Sequence, residues 1–144
     1  MKKAMELINK AIAHSPKFPY VYKMKGNMEL RLGNLDEARK LYIKSYELGE
    51  KKFKPILKDL ALLEKEASNF PEMRKYAEEF LKTNEDKRVY QLLAVSTSRD
   101  LRNFELADKY LTKALYESTS NISESHHNVT TYHAMAANYK NWVI

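Results

Sequence analysis

The chain has 144 residues, enough for one domain with a real core. Its charged fraction is 31%, and no apolar run approaches the roughly 20 residues needed to cross a bilayer. There is no cysteine, which excludes disulfides, thiolate metal sites and cysteine nucleophiles and is compatible with a reducing, cytoplasmic setting.

Three glycines and four prolines are too few for a hairpin-rich β protein, whereas the abundant Lys, Glu, Leu and Ala are good helix formers. Residues 2–14 begin with two lysines, like a signal peptide. Glu6, Asn9 and Lys10 then interrupt the apolar stretch that a signal peptide needs. The segment reads as an amphipathic helix. A second follows over 19–32, and Gly33-Asn34 marks a turn into a third that ends near Leu48. Further helical segments are predicted over 53–67, from Pro71 to about Thr83, over 87–100 and from Asn103 to about 117. Asn34 and Asp36, Asn69 ahead of Pro71, and Asp100 and Asn103 are helix-start signals. The composition shifts near Ser118–Ser120, and beyond it Glu124 and Lys140 are the only acidic or basic residues apart from histidine. After a polar connector over 118–128, residues 130–144 form a last helix. Tyr132, Met135, Ala136, Tyr139, Trp142 and Val143 make a stripe expected to cap the layer before it.

Three of these helices repeat the first. Ala4, Ala38, Met73 and Ala107 open the same pattern at spacings of 34, 35 and 34 residues. Three and four positions on stand Leu7 and Ile8, Leu41 and Tyr42, Tyr76 and Ala77, Tyr110 and Leu111. Seven on stand Ala11, Ser45, Phe80 and Ala114. Offsets 0, 3, 4 and 7 lie on one helix face, and small residues at its ends let a neighbouring helix come close. Self-similarity at this period marks a stacked repeat.

The unit Pro19 to Glu50 resembles the tetratricopeptide repeat (TPR) family. Tyr22 stands at the aromatic place of the first helix, Gly26 at the small place, and Ala38, Tyr42 and Ser45 at the second-helix places, with Pro16 closing the unit before. Lys25 and Glu29 depart from the usual Leu and Tyr, Glu50 and Glu85 replace a proline, and the third unit carries one extra residue. The resemblance covers about residues 1–119. It implies an all-α fold of stacked antiparallel helix pairs, a right-handed superhelix of about three and a half repeats, with 120–144 as connector and capping helix. Residues 2–14 then look like the second helix of an incomplete unit. Leu7, Ile8 and Ile12 are expected open on one flank, where a preceding repeat or self-association with another copy would cover them.

The resemblance further implies a protein–protein interaction module: a scaffold, an assembly factor or a regulatory adaptor. First helices would line a concave groove, at Tyr20, Lys23, Met24, Asn27 and Arg31 and then at Lys54, Leu57, Lys58, Ala61 and Lys65. In the last unit the equivalent places are Val89, Leu92, Leu93, Ser96 and Arg99. The basic half of this groove favours an acidic or C-terminal segment of another protein. Lys23 and Asn27 have the spacing of a carboxylate clamp found in part of the family. Lys58 and Asp59, and later Val89 and Leu93, stand where the rest of that clamp would be, so it is incomplete. The alternative is a nucleic-acid-binding helical repeat, suggested by a pI near 9.3 and ten tyrosines. The lysines, however, alternate with acids, and steep salt dependence would discriminate.

No enzyme signature or cofactor motif is present. Gly26, Gly33 and Gly49 are isolated rather than forming a phosphate loop, and the serines lack a base and an orienting acid. Asp36 and Lys40, or Glu47 and Lys51, have the spacing of helix-surface pairs. His126, His127 and His133 cluster without a completing cysteine or acidic pair, which reads as a polar segment more readily than as a metal site. Sequons at Asn121 and Asn128 come with no secretory signal and read as chance.

Overall fold

A computed structural model describes residues 2–52, 54–116 and 125–143. Among the described residues eight helices follow one another: α1 (Lys2–His14), α2 (Pro19–Arg31), α3 (Leu35–Leu48), α4 (Pro55–Glu66), α5 (Phe70–Leu81), α6 (Lys87–Leu101), α7 (Phe104–Tyr116) and α8 (Ser125–Trp142). Among the described residues there is no strand. The chain forms two compact units, 1–76 and 77–144, with the division inside α5.

The repeat pattern is the buried face of the second helices. Ala38, Met73 and Ala107, at offset 0, are each no more than 1% exposed, and Ser45, Phe80 and Ala114, at offset 7, are buried too. In the first unit α2 and α3 pack as a pair. A Cβ added to Gly26 would lie 2.6 Å from Cε1 of Tyr42, so only glycine lets the α3 ring lie on the α2 backbone. The Tyr42 ring is itself buried and continues into a cluster with Ala38, Ile56, Leu60 and Leu63 that joins α3 to α4. Hydrogen bonds fix the pair's ends: Ser45 Oγ donates to the carbonyl of Pro19 at 2.7 Å, and the Tyr22 hydroxyl to that of Pro16 at 2.6 Å.

The turns repeat as well. Gly33, Ser68 and Arg102 all have positive φ, and each is followed by an asparagine. The left-handed residue ends one helix and Asn begins the next. Asn103 caps α7 as expected, accepting from the Leu106 N–H. Asn34 and Asn69 also bind backward. Their side-chain amides reach back five residues and donate to Glu29 and Glu64, both at 2.7 Å. The donor in both is the amide nitrogen, and at Asn34 the side-chain oxygen makes no cap bond.

Glu64 is 2% exposed, which an isolated carboxylate does not tolerate. Nε of Arg39 on α3 donates to it at 2.6 Å and Asn69 serves its other oxygen. The same guanidinium binds Asp36, which therefore pairs three residues on rather than with Lys40. These contacts raise the Arg39 pKa further, the Glu64 hydrogen bond most of all.

In the second unit Asp86 caps α6 through the Val89 N–H, and α6 packs on α7 around Ala94, Ala107 and Leu111. Helix α8 packs on both, so a capping helix is present, but it begins at Ser125 and its docked face differs from the expected one. Thr131 and Asn138 are buried, while Tyr132, Tyr139, Trp142 and Val143 are 45–65% exposed and Ala136 is exposed too. Of the predicted stripe, Met135 packs against the cluster. The physical reason is a matched polar seam: Gln91 Nε2 donates to Thr131 Oγ1, and Asn138 Nδ2 to the Phe104 carbonyl at 3.0 Å. Small side chains let α8 approach closely enough to make these bonds; an aromatic face would hold it off.

Candidate interaction surface

In the first unit an ion pair links α2 to α4. Lys23 Nζ on α2 lies 3.6 Å from Asp59 Oδ2 on α4, which joins the two helices into one wall. Tyr20 and Met24 are exposed on this wall at 48% and 39%, and Arg31 is exposed further along α2. Phe18, ahead of α2, adds a third apolar side chain, its ring 6.3 Å from that of Tyr20, and Lys23 Nζ lies 5.8 Å from the Tyr20 centroid. Phe18 falls outside the periodic face, so helical periodicity gives no cue to it; the cue is an aromatic residue directly before a helix-starting proline.

The other expected positions divide between surface and core. Asn27 is half-buried, and its Oδ1 accepts the Tyr42 hydroxyl at 2.6 Å, which turns its Nδ2 donors the other way. Lys54 and Lys58 are half-buried, and Lys65 is exposed. Leu57, expected to supply apolar contact, is 1% exposed and belongs to the interior; Ala61, Val89, Leu93 and Ser96 are likewise buried. On α4 and on α6 these numbers fall on the buried face of the helix.

In the sequence Asp59 marks only the absence of a clamp asparagine. In the structure it is the acid at the centre of a basic wall. Burial pushes its pKa up, and the attraction of Lys23 and then Lys58 offsets this only in part. Its Oδ2 is buried and, apart from the ion pair, has no hydrogen-bond donor among the described residues. Burial also raises the Tyr42 pKa, with Asp59 adding to the effect, so that phenol stays protonated and remains a donor to Asn27.

The flank of α1 is less open than expected. Leu7 is 59% exposed, but Ile8 is buried and Ile12 packs against the cluster of Val21, Tyr22 and Leu41. Most tyrosines near the repeat face serve packing: Tyr22, Tyr42 and Tyr90 are buried and Tyr46, Tyr76 and Tyr110 half-buried. His133 is exposed, and the side chains of His126 and His127 lie outside the described residues, as do residues 117–124 and with them Asn121. Among the described residues no three His, Asp or Glu side chains are grouped as metal ligands, and no helix is long and apolar enough to cross a membrane.

No protein-family model and no curated protein matches the sequence. Among solved structures, the chain superposes on pilF of Pseudomonas aeruginosa, a TPR-containing protein, with a TM-score of 0.71. The chain has a TPR-like helical-repeat fold. The superposition covers 96% of this chain and 62% of that one at 14% identity, so this TPR-like chain spans less than two thirds of its structural neighbour. Within the TPR-like frame α2, α4 and α6 are first helices and α3, α5 and α7 second helices.

Proposed function

We propose that the chain is a non-catalytic protein-interaction module whose α2/α4 wall binds a peptide segment of another protein. The observation that carries this is the Lys23–Asp59 pair, which brings two first helices together and leaves Tyr20 and Met24 exposed beside Arg31. The apolar side chains supply contact area, and the cations select carboxylates at the rim. Because Asp59 already neutralises Lys23, the charge left for a partner sits at Arg31, Lys54 and Lys65, flanking the apolar patch rather than at its centre. An acidic or C-terminal peptide with an apolar residue between its carboxylates fits that order. The TPR-like fold supports an interaction role in general, and the inward-facing tyrosines favour protein over nucleic acid.

A displayed peptide library with free C-termini tests this. Wild type is expected to enrich peptides with acidic residues around an apolar one. Tyr20→Ser with Met24→Ser should abolish their capture, Arg31→Glu should weaken it, and Lys75→Glu on α5 should leave it intact. These residues are all exposed, so the helical content should not change. Equal loss in the Lys75 variant would reduce the binding to general charge attraction. Retention in the double variant would remove the wall as the site.

A further inference from the structure

Helix α8 carries the pattern of a first helix. In α2, α4 and α6 a large side chain is followed four residues on by a small one: Tyr22 and Gly26, Leu57 and Ala61, Tyr90 and Ala94. These residues are buried. In α2 and α6 this face receives the second helix: Gly26 meets Tyr42 of α3, and Ala94 clusters with Ala107 and Leu111 of α7. In α8 the same pair is Tyr132 and Ala136, with Tyr139 one turn further. All three are exposed, the two tyrosines at 60% and 64%.

The docking of α8 supports the same assignment. On α4, Ile56 and Leu60 stand one before and three after Leu57, and they pack with Ala38 and Tyr42 of the preceding second helix, α3. The corresponding residues around Tyr132 are Thr131, which is buried, and Met135, which packs against the cluster of Ala94, Ala107 and Leu111. The face of α8 that faces a second helix in a complete unit is open among the described residues.

Helix α1 has the opposite lack. Ala4, Leu7 and Ala11 stand at second-helix offsets 0, 3 and 7, yet Leu7 is 59% exposed and the two alanines are only half-buried. In complete units the residue at offset 3 has a set partner. Leu41 of α3 clusters with Tyr22 of α2, and the Tyr110 ring of α7 stacks on Tyr90 of α6, with centroids 6.3 Å apart. By that rule Leu7 lacks a side chain at the Tyr132 place, and Tyr132 lacks one at the Leu7 place.

We infer that α8 of one copy pairs with α1 of a second copy, as the first and second helix of a unit shared between two chains. Leu7 rests on Tyr132, and Ala4, Ala11 and Ala136 let the helices come close. The open faces are the two halves of an interface that the chain builds within itself. Aromatic side chains bury about 150–250 Å² each, so the exposed parts of Tyr132 and Tyr139 with Val143 offer a patch on the order of 300 Å². That is the size of a surface interaction patch and well short of the roughly 800 Å² per partner of a stable complex. The association is therefore weak and concentration-dependent, and in dilute solution neither face adds to the stability of a single copy. Because the two faces differ, the contact is heterologous and adds copies head to tail. It involves neither Tyr20 nor Met24 and does not rest on the role of the α2/α4 wall.

Sedimentation velocity of the full chain from about 10 μM to about 1 mM, the range suited to a small interface, tests this. Wild type is expected to sediment faster as its concentration rises. Leu7→Lys and Tyr132→Lys, both at exposed positions, should each weaken association at least about tenfold with the circular dichroism spectrum retained. Mixed in equal amounts, the two variants should associate again and stop at a dimer, because Leu7→Lys keeps an intact α8 and Tyr132→Lys an intact α1. A wild type that stays a single copy throughout would overturn the inference, as would a mixture that does not associate. Undiminished association of Leu7→Lys alone would place α8 on α8, and of Tyr132→Lys alone α1 on α1; either result overturns the head-to-tail pairing.

Discussion

The α2/α3 pair and the docked helix α8 solve the same packing problem in opposite ways. In the pair, the side chains with the largest apolar payload face inward: Tyr42 is 1% exposed and its ring rests on Gly26. In α8 the large side chains face outward, and Thr131 and Asn138 occupy the interface. Hydropathy chooses the buried face where a partner surface is deep enough to take a ring. Where the partner is a shallow seam carrying its own polar groups, close approach and hydrogen bonds choose it. The first interface is held by shape that tolerates little change. The second is held by a few bonds.

The first unit is therefore the place where single substitutions should cost most. Arg39→Met removes the cation from Glu64, which stays buried with Asn69 as its remaining partner. A loss of about 3 kcal/mol is expected by chemical denaturation, the low end for a broken buried pair because Arg39 is itself partly solvated. Adding Glu64→Met should restore most of that loss. If Arg39→Met alone costs no more than a surface change, the Glu64 network does not hold α3 to α4.

Gly26→Ala comes next. Alanine gains about 1 kcal/mol in helix propensity. The added Cβ nevertheless meets the Tyr42 ring at 2.6 and 2.7 Å, and overpacking costs about 1–3 kcal/mol. A net loss of roughly 1 kcal/mol is expected from these two terms, with a fall in melting temperature. A gain in stability would show that the ring can move aside.

Asp59→Asn should show a smaller effect with a definite pH dependence. Burial raises the Asp59 pKa even with Lys23 beside it, so the folded chain holds that proton more tightly than the unfolded chain. The stability this gives is full below the ordinary aspartate range, near about pH 4, and is lost as pH rises through the raised value. An asparagine there does not titrate. The variant should gain on wild type as pH rises through this window, and stability profiles that stay parallel from about pH 3 to about pH 7 would contradict it.

The smallest effect belongs to α8. Tyr139→Ser removes a ring that is 64% exposed, so stability should stay within about 0.5 kcal/mol of wild type. A larger loss would mean that the outer face of α8 is packed after all and would bring α8 back to the rule that governs α2/α3.

Much of the fold is legible in the residues themselves. A period of about 3.6 fixes which side chains share a helix face, so Ala38, Ala107, Ser45 and Ala114 are readable as interior positions from the order of residues alone. Recurrence at spacings of 34 and 35 residues then makes the helices into repeats. The turns are half legible. Asn34, Asn69 and Asn103 mark the right places, but Gly33 alone announces a left-handed residue, since Ser68 and Arg102 carry no sign of the backbone they adopt. The wall is less readable. Tyr20, Met24 and Arg31 stand on it, whereas Leu57 has the same apolar character as Met24 and is buried.

The sequence by itself determined the helices, their recurrence along the repeat and the inner face of the second helices, because these follow from local periodicity and side-chain size. Only the tertiary structure decided what depends on residues distant in the chain. Arg39 finds Glu64 25 residues away, Asn138 finds the Phe104 carbonyl 34 residues away, and Lys23 finds Asp59 on a different helix. A charge or an amide in a sequence states a need for a partner without naming it; the partner is fixed when helices stack at one offset. That stacking also turned Leu57 inward and the aromatic stripe of α8 outward.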